Sequence, residues 1–161
     1  MYQVIILLRK IIREASSDDA SLIVDMIRAV AEEGVFYSPV TSVENFYHKF
    51  VSGKPREGYK IFVCQIGDKI VGYIDSDATL GVGRILSLYI KLDYRKKGIG
   101  SELIKETLFE FLNRGCHKAR LEVFASNQVA IGFYMKLGFV QEGYLREDQE
   151  KKDTIIMSKF L

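Results

Sequence analysis

At 161 residues the chain suits one domain, large enough to bury a core of its own. Its composition, 48% apolar and 27% charged, is ordinary for a soluble globular protein. A net charge of +2 is too small to point to nucleic acid, so the basic residues matter only where they cluster.

The first residues in chain order, Val4-Ile5-Ile6-Leu7-Leu8, form a run much shorter than the about 20 residues that a membrane span requires. Arg9-Lys10 follow this run, whereas a signal peptide places its charge first. No membrane contact is expected, and the protein is read as cytoplasmic.

Residues 11–15 predict the first strand. Ser16-Ser17-Asp18-Asp19 then offers N-caps for a helix whose apolar face is Leu22, Ile23, Met26, Ile27 and Val30, with Gly34 as its stop. A short helix over residues 43–51 carries Phe46, Tyr47 and Phe50. Residues 59–66 and 69–75 read as strands joined by a Gly67-Asp68 turn. A loop over residues 79–83, its glycines taken as turn residues, leads to an apolar strand over residues 85–92. A helix over residues 101–114 has apolar residues at 103, 104, 108, 111 and 112 and stops at Gly115. A strand over 119–124, a helix over 127–137 and a hairpin of 139–145 with Thr154–Phe160 complete the chain. The order β-α-α-β-β-β-α-β-α-β-β predicts an α/β sandwich around a mixed sheet.

Cys64 sits in an apolar strand and Cys116 beside a helix end. Two cysteines without metal-like spacing fit free buried thiols in a reducing compartment. His48 and His117 lack partner patterns and are read as surface residues. No metal is expected.

The stretch Arg95-Lys96-Lys97-Gly98-Ile99-Gly100-Ser101 lies between the apolar strand and the helix that follows. Two glycines allow a tight reversal, and the next N–H groups belong to the unpaired first turn of a helix. Those donors, the helix dipole and three basic side chains suit a pyrophosphate. The spacing is not a Walker loop, and Leu103 stands where a dinucleotide fingerprint needs glycine or alanine. The turn alone also fits an ordinary strand–helix connection with solvated charges.

Further residues decide between these readings. Leu88-Tyr89-Ile90, Arg95-x-x-Gly98-x-Gly100, Asn127, Tyr134 and Leu137-Gly138-Phe139 fall in register with the GNAT superfamily of acetyl-coenzyme A-dependent N-acetyltransferases, which the chain resembles from about residue 11 onward. Leu92 departs from the pattern, which usually has proline there. The resemblance implies a mixed, mostly antiparallel central sheet flanked by helices and splayed at the cofactor strand. It implies acetyl-coenzyme A as cofactor and direct attack by an amine in a ternary complex. Its pattern begins at Lys10, which makes residues 1–9 an extension (an edge strand, a packing arm or a misassigned start) before a single domain over residues 10–161, and it gives the expectation of a homodimer.

Residue by residue, the resemblance assigns the backbone of Leu88, Tyr89 and Ile90 to the pantetheine arm and to polarising the acetyl carbonyl. It assigns Arg95, Lys96, Lys97, Gly98, Ile99, Gly100 and Ser101 to the pyrophosphate. Asn127 would bind the arm, and reads equally as a helix N-cap. Tyr134 would lie by the cofactor sulfur as its acid, against the plainer reading of a core tyrosine. Glu122, in Leu-Glu-Val-x-Ala-Ser-Asn, matches a proton acceptor of protein N-terminal acetyltransferases and reads equally as a surface charge paired with Arg84 or a lysine. Glu32, Glu33 and Tyr37 are candidates to line an acceptor pocket, though such a glutamate pair is more often only solvated.

Two branches of acceptor remain. The helix end Ala31-Glu32-Glu33-Gly34 and the stretch 142–147 look like the branch acetylating small amines and amino-acid analogues. The Leu-Glu-Val-x-Ala-Ser-Asn strand looks like the ribosomal-protein N-terminal branch. A non-catalytic coenzyme A-binding module would tolerate loss of Asn127 or Tyr134, and both are present.

Overall fold

The computed structural model describes residues 9–32, 57–148 and 151–161. Along the chain these form β1 (Lys10–Glu14), α1 (Ala20–Glu32), β2 (Lys60–Ile66), β3 (Lys69–Thr79), β4 (Val82–Ile90), α2 (Ile99–Asn113), β5 (Lys118–Phe124), α3 (Gln128–Lys136), β6 (Val140–Leu145) and β7 (Thr154–Phe160). The strands make one sheet in the order β1-β2-β3-β4-β5-β7-β6. Its pairs are antiparallel except β4 with β5. The expected short helix, Gly34, Glu33, Tyr37 and His48 lie outside the described residues, as does the side chain of Glu32.

Alternation along β3 and β4, reset by an extra residue at Val71 and at Leu86, divides these strands between two cores. One core joins Ile23, Met26 and Ile27 of α1 to Ile61, Val63, Ile70, Tyr73 and Tyr89. The other joins Leu103, Ile104 and Phe111 of α2 to Val71, Ile74, Ile85, Leu121, Val123 and, from α3, Tyr134. Leu22 and Leu112, expected on the buried helix faces, are exposed, because each stands at the edge of its apolar stripe. α1 is entered through a short turn (Ser17–Asp19) in which Asp19 accepts the Ser16 N–H at 2.8 Å.

The expected loop over residues 79–83 is much tighter. Thr79 pairs with Val82, leaving Leu80 and Gly81 as the turn, both with positive φ, 53° and 79°. Gly83, read from the sequence as a turn residue, is a buried strand residue covered by the ring of Phe111. Among the described residues no helix is long and apolar enough to cross a membrane.

Candidate active site

β4 changes register close to where it loses its neighbour. Ser76 faces Ile85 and Asp75 faces Ser87, so Leu86 is an extra residue, a β-bulge. Parallel pairing with β5 stops at Ile85 and Leu121. Beyond that pair residues 86–90 and 122–124 diverge, and a cavity of about 650 Å³ opens between them. Every residue assigned above to the cofactor, and Glu122 and Tyr134, lines this cavity except Lys97. The Lys97 ammonium sits over the Tyr94 ring, 5.3 Å from its centroid.

At one end of the cavity the chain turns into α2. Lys96 and Gly98 adopt positive φ, 59° and 80°, and the reversal brings the helix start to the cavity wall. The Glu102 N–H donates to Gly98 O at 3.1 Å, so the helix leaves the N–H groups of Ile99, Gly100 and Ser101 unpaired. A Cβ on Gly100 would stand 3.2 Å from Phe133 Cζ and narrow this end. Unpaired donors at a helix N-terminus, beside Lys96 and Lys97, fit a pyrophosphate. Arg95 is disposed differently from its basic neighbours. Its Nε donates to Ile90 O at 2.8 Å, and its guanidinium lies 5.3 Å from the Tyr89 ring centroid, so it braces the exit of β4.

α3 closes the side of the cavity nearest α2. Asn127 caps this helix, its Oδ1 accepting the Ala130 N–H at 3.1 Å, which leaves its amide Nδ2 as the donor available to a ligand. Tyr134 is buried between Phe133 and Phe139, with edge-on ring centroids at 5.2 and 5.8 Å. Burial pushes its phenol well above the ordinary range, so it stays protonated at neutral pH. Among the described residues its hydroxyl has no hydrogen-bond partner.

On the β5 side, Glu122 lines the cavity with its carboxylate 3.3 Å from Arg120 Nη2. Arg84, considered from the sequence as its partner, instead makes two hydrogen bonds to Asp77, at 2.7 and 2.6 Å. The reason is register: Asp77 faces Arg84 directly across β3 and β4.

A polar cluster escaped the sequence reading. Ser87 Oγ donates to Asp75 Oδ1 and lies 3.2 Å from the Tyr73 hydroxyl, while Tyr59 donates to Asp75 Oδ2 at 3.1 Å. Burial and the adjacent Asp75 push both phenols upward. The available signal was Tyr73-x-Asp75-x-Asp77, three polar side chains at the spacing that puts them on one face of a strand.

The remaining expectations concern groups away from the cavity. Cys64 and Cys116 are free and buried, and burial raises both thiols. His117 is exposed. Among the described residues no cluster of His, Cys, Asp or Glu has the arrangement of a metal site.

The splayed parallel pair, the helix N-terminus at one end and the buried phenol in the wall are the arrangement expected from the resemblance. The chain belongs to the acetyltransferase (GNAT) family, whose family model matches residues 23–139. It is 31% identical over 140 residues to the thialysine N-epsilon-acetyltransferase of Sus scrofa, covering 80% of this chain and 82% of that protein. It is 28% identical over 106 residues to the [ribosomal protein bS18]-alanine N-acetyltransferase of Escherichia coli K12, covering 63% and 72%. The fold matches spermidine N-acetyltransferase from Vibrio cholerae, solved with CoA and spermine, with a TM-score of 0.74 and 19% identity over 94% of this chain and 95% of that one. The protein is therefore an acetyl-coenzyme A-dependent N-acetyltransferase.

Proposed function

We propose that this enzyme acetylates the primary amine of a small molecule or amino-acid analogue, by direct attack in a ternary complex. The observation that carries the reading is the 31% identity to a thialysine acetyltransferase across 82% of that protein. The cavity supplies a physical basis. Acetyl-coenzyme A brings the activated thioester. The N–H groups at the start of α2, with Lys96 and Lys97, hold its pyrophosphate; the edge of β4 at Leu88, Tyr89 and Ile90 and the free amide of Asn127 hold its arm. Backbone donors on β4 favour the charge that develops on the acetyl oxygen. Tyr134 gives its proton to the departing sulfur. Glu122 lies on the opposite strand as a candidate proton acceptor.

A second reading, acetylation of a protein N-terminus, draws on the 28% relative and on Leu121-Glu122-Val123 followed by Ala125-Ser126-Asn127. On either reading residues 10–161 act as one domain, in the cytoplasm, as a homodimer.

Thermal unfolding with and without acetyl-coenzyme A, with NAD and ATP as controls, tests the cofactor site. Ligand at a hundred times its Kd adds about 2.7 kcal/mol. A shift with acetyl-coenzyme A alone supports the reading, and thiol release with thialysine against an alanine-starting peptide then separates the two acceptors. No shift in a folded sample removes the assignment of the turn before α2.

A further inference from the structure

In the arrangement proposed above, the arm of the cofactor would enter at the start of α2 and run along β4 from Ile90 toward Leu88. At about 3.3 Å per strand residue, its reacting end falls near the vertex of the splay, beside the bulge at Leu86. Ser87 is the polar side chain of β4 at that vertex, flanked by Leu86 and Leu88, and it lines the cavity. Asp75 does not line the cavity, yet its carboxylate accepts the Ser87 hydroxyl proton.

We propose that Ser87 takes the proton of the acceptor amine and passes its own to Asp75, making Asp75 a positioning residue that acts through Ser87. This rests on the amine-acetylation reading above. In the step one proton of the ammonium moves to Ser87 Oγ as the Ser87 proton moves to Asp75 Oδ1, which frees the nitrogen lone pair. The nitrogen then bonds to the acetyl carbon, the carbon–sulfur bond breaks and the sulfur takes the Tyr134 proton, while the second proton of the nitrogen returns to the Tyr134 phenolate. Exchange with solvent restores Asp75.

The surroundings select Asp75 for this role. Asp77, on the same face of β3, is held by two hydrogen bonds from Arg84. Tyr59 and Tyr73 stay protonated at neutral pH and so serve as donors. From β4, Tyr89 packs under Arg95, and from β5, Glu122 lies near Arg120. On α1, Asp25 and Arg28 are exposed and pair with each other at 3.6 Å.

The test is the pH dependence of kcat/KM for acetyl-coenzyme A-driven thiol release by wild type, Asp75→Asn and Ser87→Ala, with thialysine and with an alanine-starting peptide as acceptors. Without the relay only free-base amine reacts, and its fraction rises tenfold per pH unit below the amine's pKa. Both variants should therefore lose on the order of a hundredfold near neutral pH and regain most of it as pH rises, with KM for acetyl-coenzyme A unchanged. A loss that is equal at every pH, or no loss, overturns the relay. If Asp75→Asn does not fold, Ser87→Ala, which leaves the Asp75–Tyr59 bond in place, decides by the same criterion. Turnover of the peptide in place of thialysine overturns the small-amine acceptor, and the relay is then judged on the peptide. A wild type that releases no thiol with either acceptor overturns the relay together with the reading it rests on.

Discussion

Ile85 and Leu121 are the last residues of β4 and β5 to face each other, and the strands part immediately after them. Both side chains are buried in the core beneath α2, so the vertex is fixed by packing, and among the described residues the edges that β4 and β5 turn toward each other beyond it are not paired with each other. That geometry gives a ligand strand-like hydrogen bonds without displacing any the protein makes to itself.

Gly100 guards the other end of the opening. Valine there would push against Phe133 and cover N–H groups of the first turn of α2. Each charge-assisted bond to phosphate is worth about 1.5–3 kcal/mol. Gly100→Val should therefore weaken acetyl-coenzyme A binding by about ten- to a hundredfold, as read by calorimetry. Its unfolding temperature should not fall, because glycine is a poor helix residue.

Tyr134→Phe separates an acid from a core side chain. The hydroxyl has no hydrogen-bond partner among the described residues, so its removal should leave the unfolding temperature nearly unchanged. If the phenol protonates the leaving sulfur, kcat should fall by about 10²–10⁴ with little change in KM for acetyl-coenzyme A. Steady-state kinetics with a thiol reagent reads both parameters. An unchanged kcat would leave Tyr134 as a packing residue between Phe133 and Phe139.

The turn before α2 was legible because its chemistry is local: glycines, basic residues and a following amphipathic helix are neighbours in the sequence. The strands and helices among the described residues were legible for the same reason, through their periodicity. The Leu86 bulge and the Asp75–Ser87 pair were not, since both depend on register between β3 and β4, which a residue-by-residue pattern does not encode. Gly83 was misread because a glycine beside a turn and a glycine beneath an aromatic ring look alike in sequence.

Asp19 ties the entry of α1 to the edge of the sheet. Its carboxylate accepts two hydrogen bonds from Arg13, at 2.7 and 2.8 Å, and one from the Ser16 N–H at 2.8 Å. The Arg13 bond, aided by Ser16, holds the Asp19 carboxyl below its ordinary range. A lowered folded-state pKa gives stability that is present above about pH 4 and lost as pH falls through the folded value. Asp19→Asn should cost about 1.5–3 kcal/mol at pH 7, toward the low end because Arg13 is partly exposed. Urea unfolding at pH 7 and in acid should show the gap between wild type and variant closing in acid.

The packing that fixes the vertex is tested at Gly83, two residues before Ile85 on the parallel ladder and opposite Ala119. A Cβ there would stand no farther than 2.5 Å from three atoms of the Phe111 ring. Phe111 is 1% exposed, so the ring has no open space to enter and α2 must shift instead. Gly83→Ala should cost about 1–3 kcal/mol by overpacking. Gly132→Ala, in α3 with nothing within 4 Å of the added carbon, should instead stabilise by about 0.5–1 kcal/mol through helix propensity. Calorimetric unfolding of the two variants should move in opposite directions. Equal shifts would mean that the Phe111–Gly83 contact does not hold α2 against the sheet.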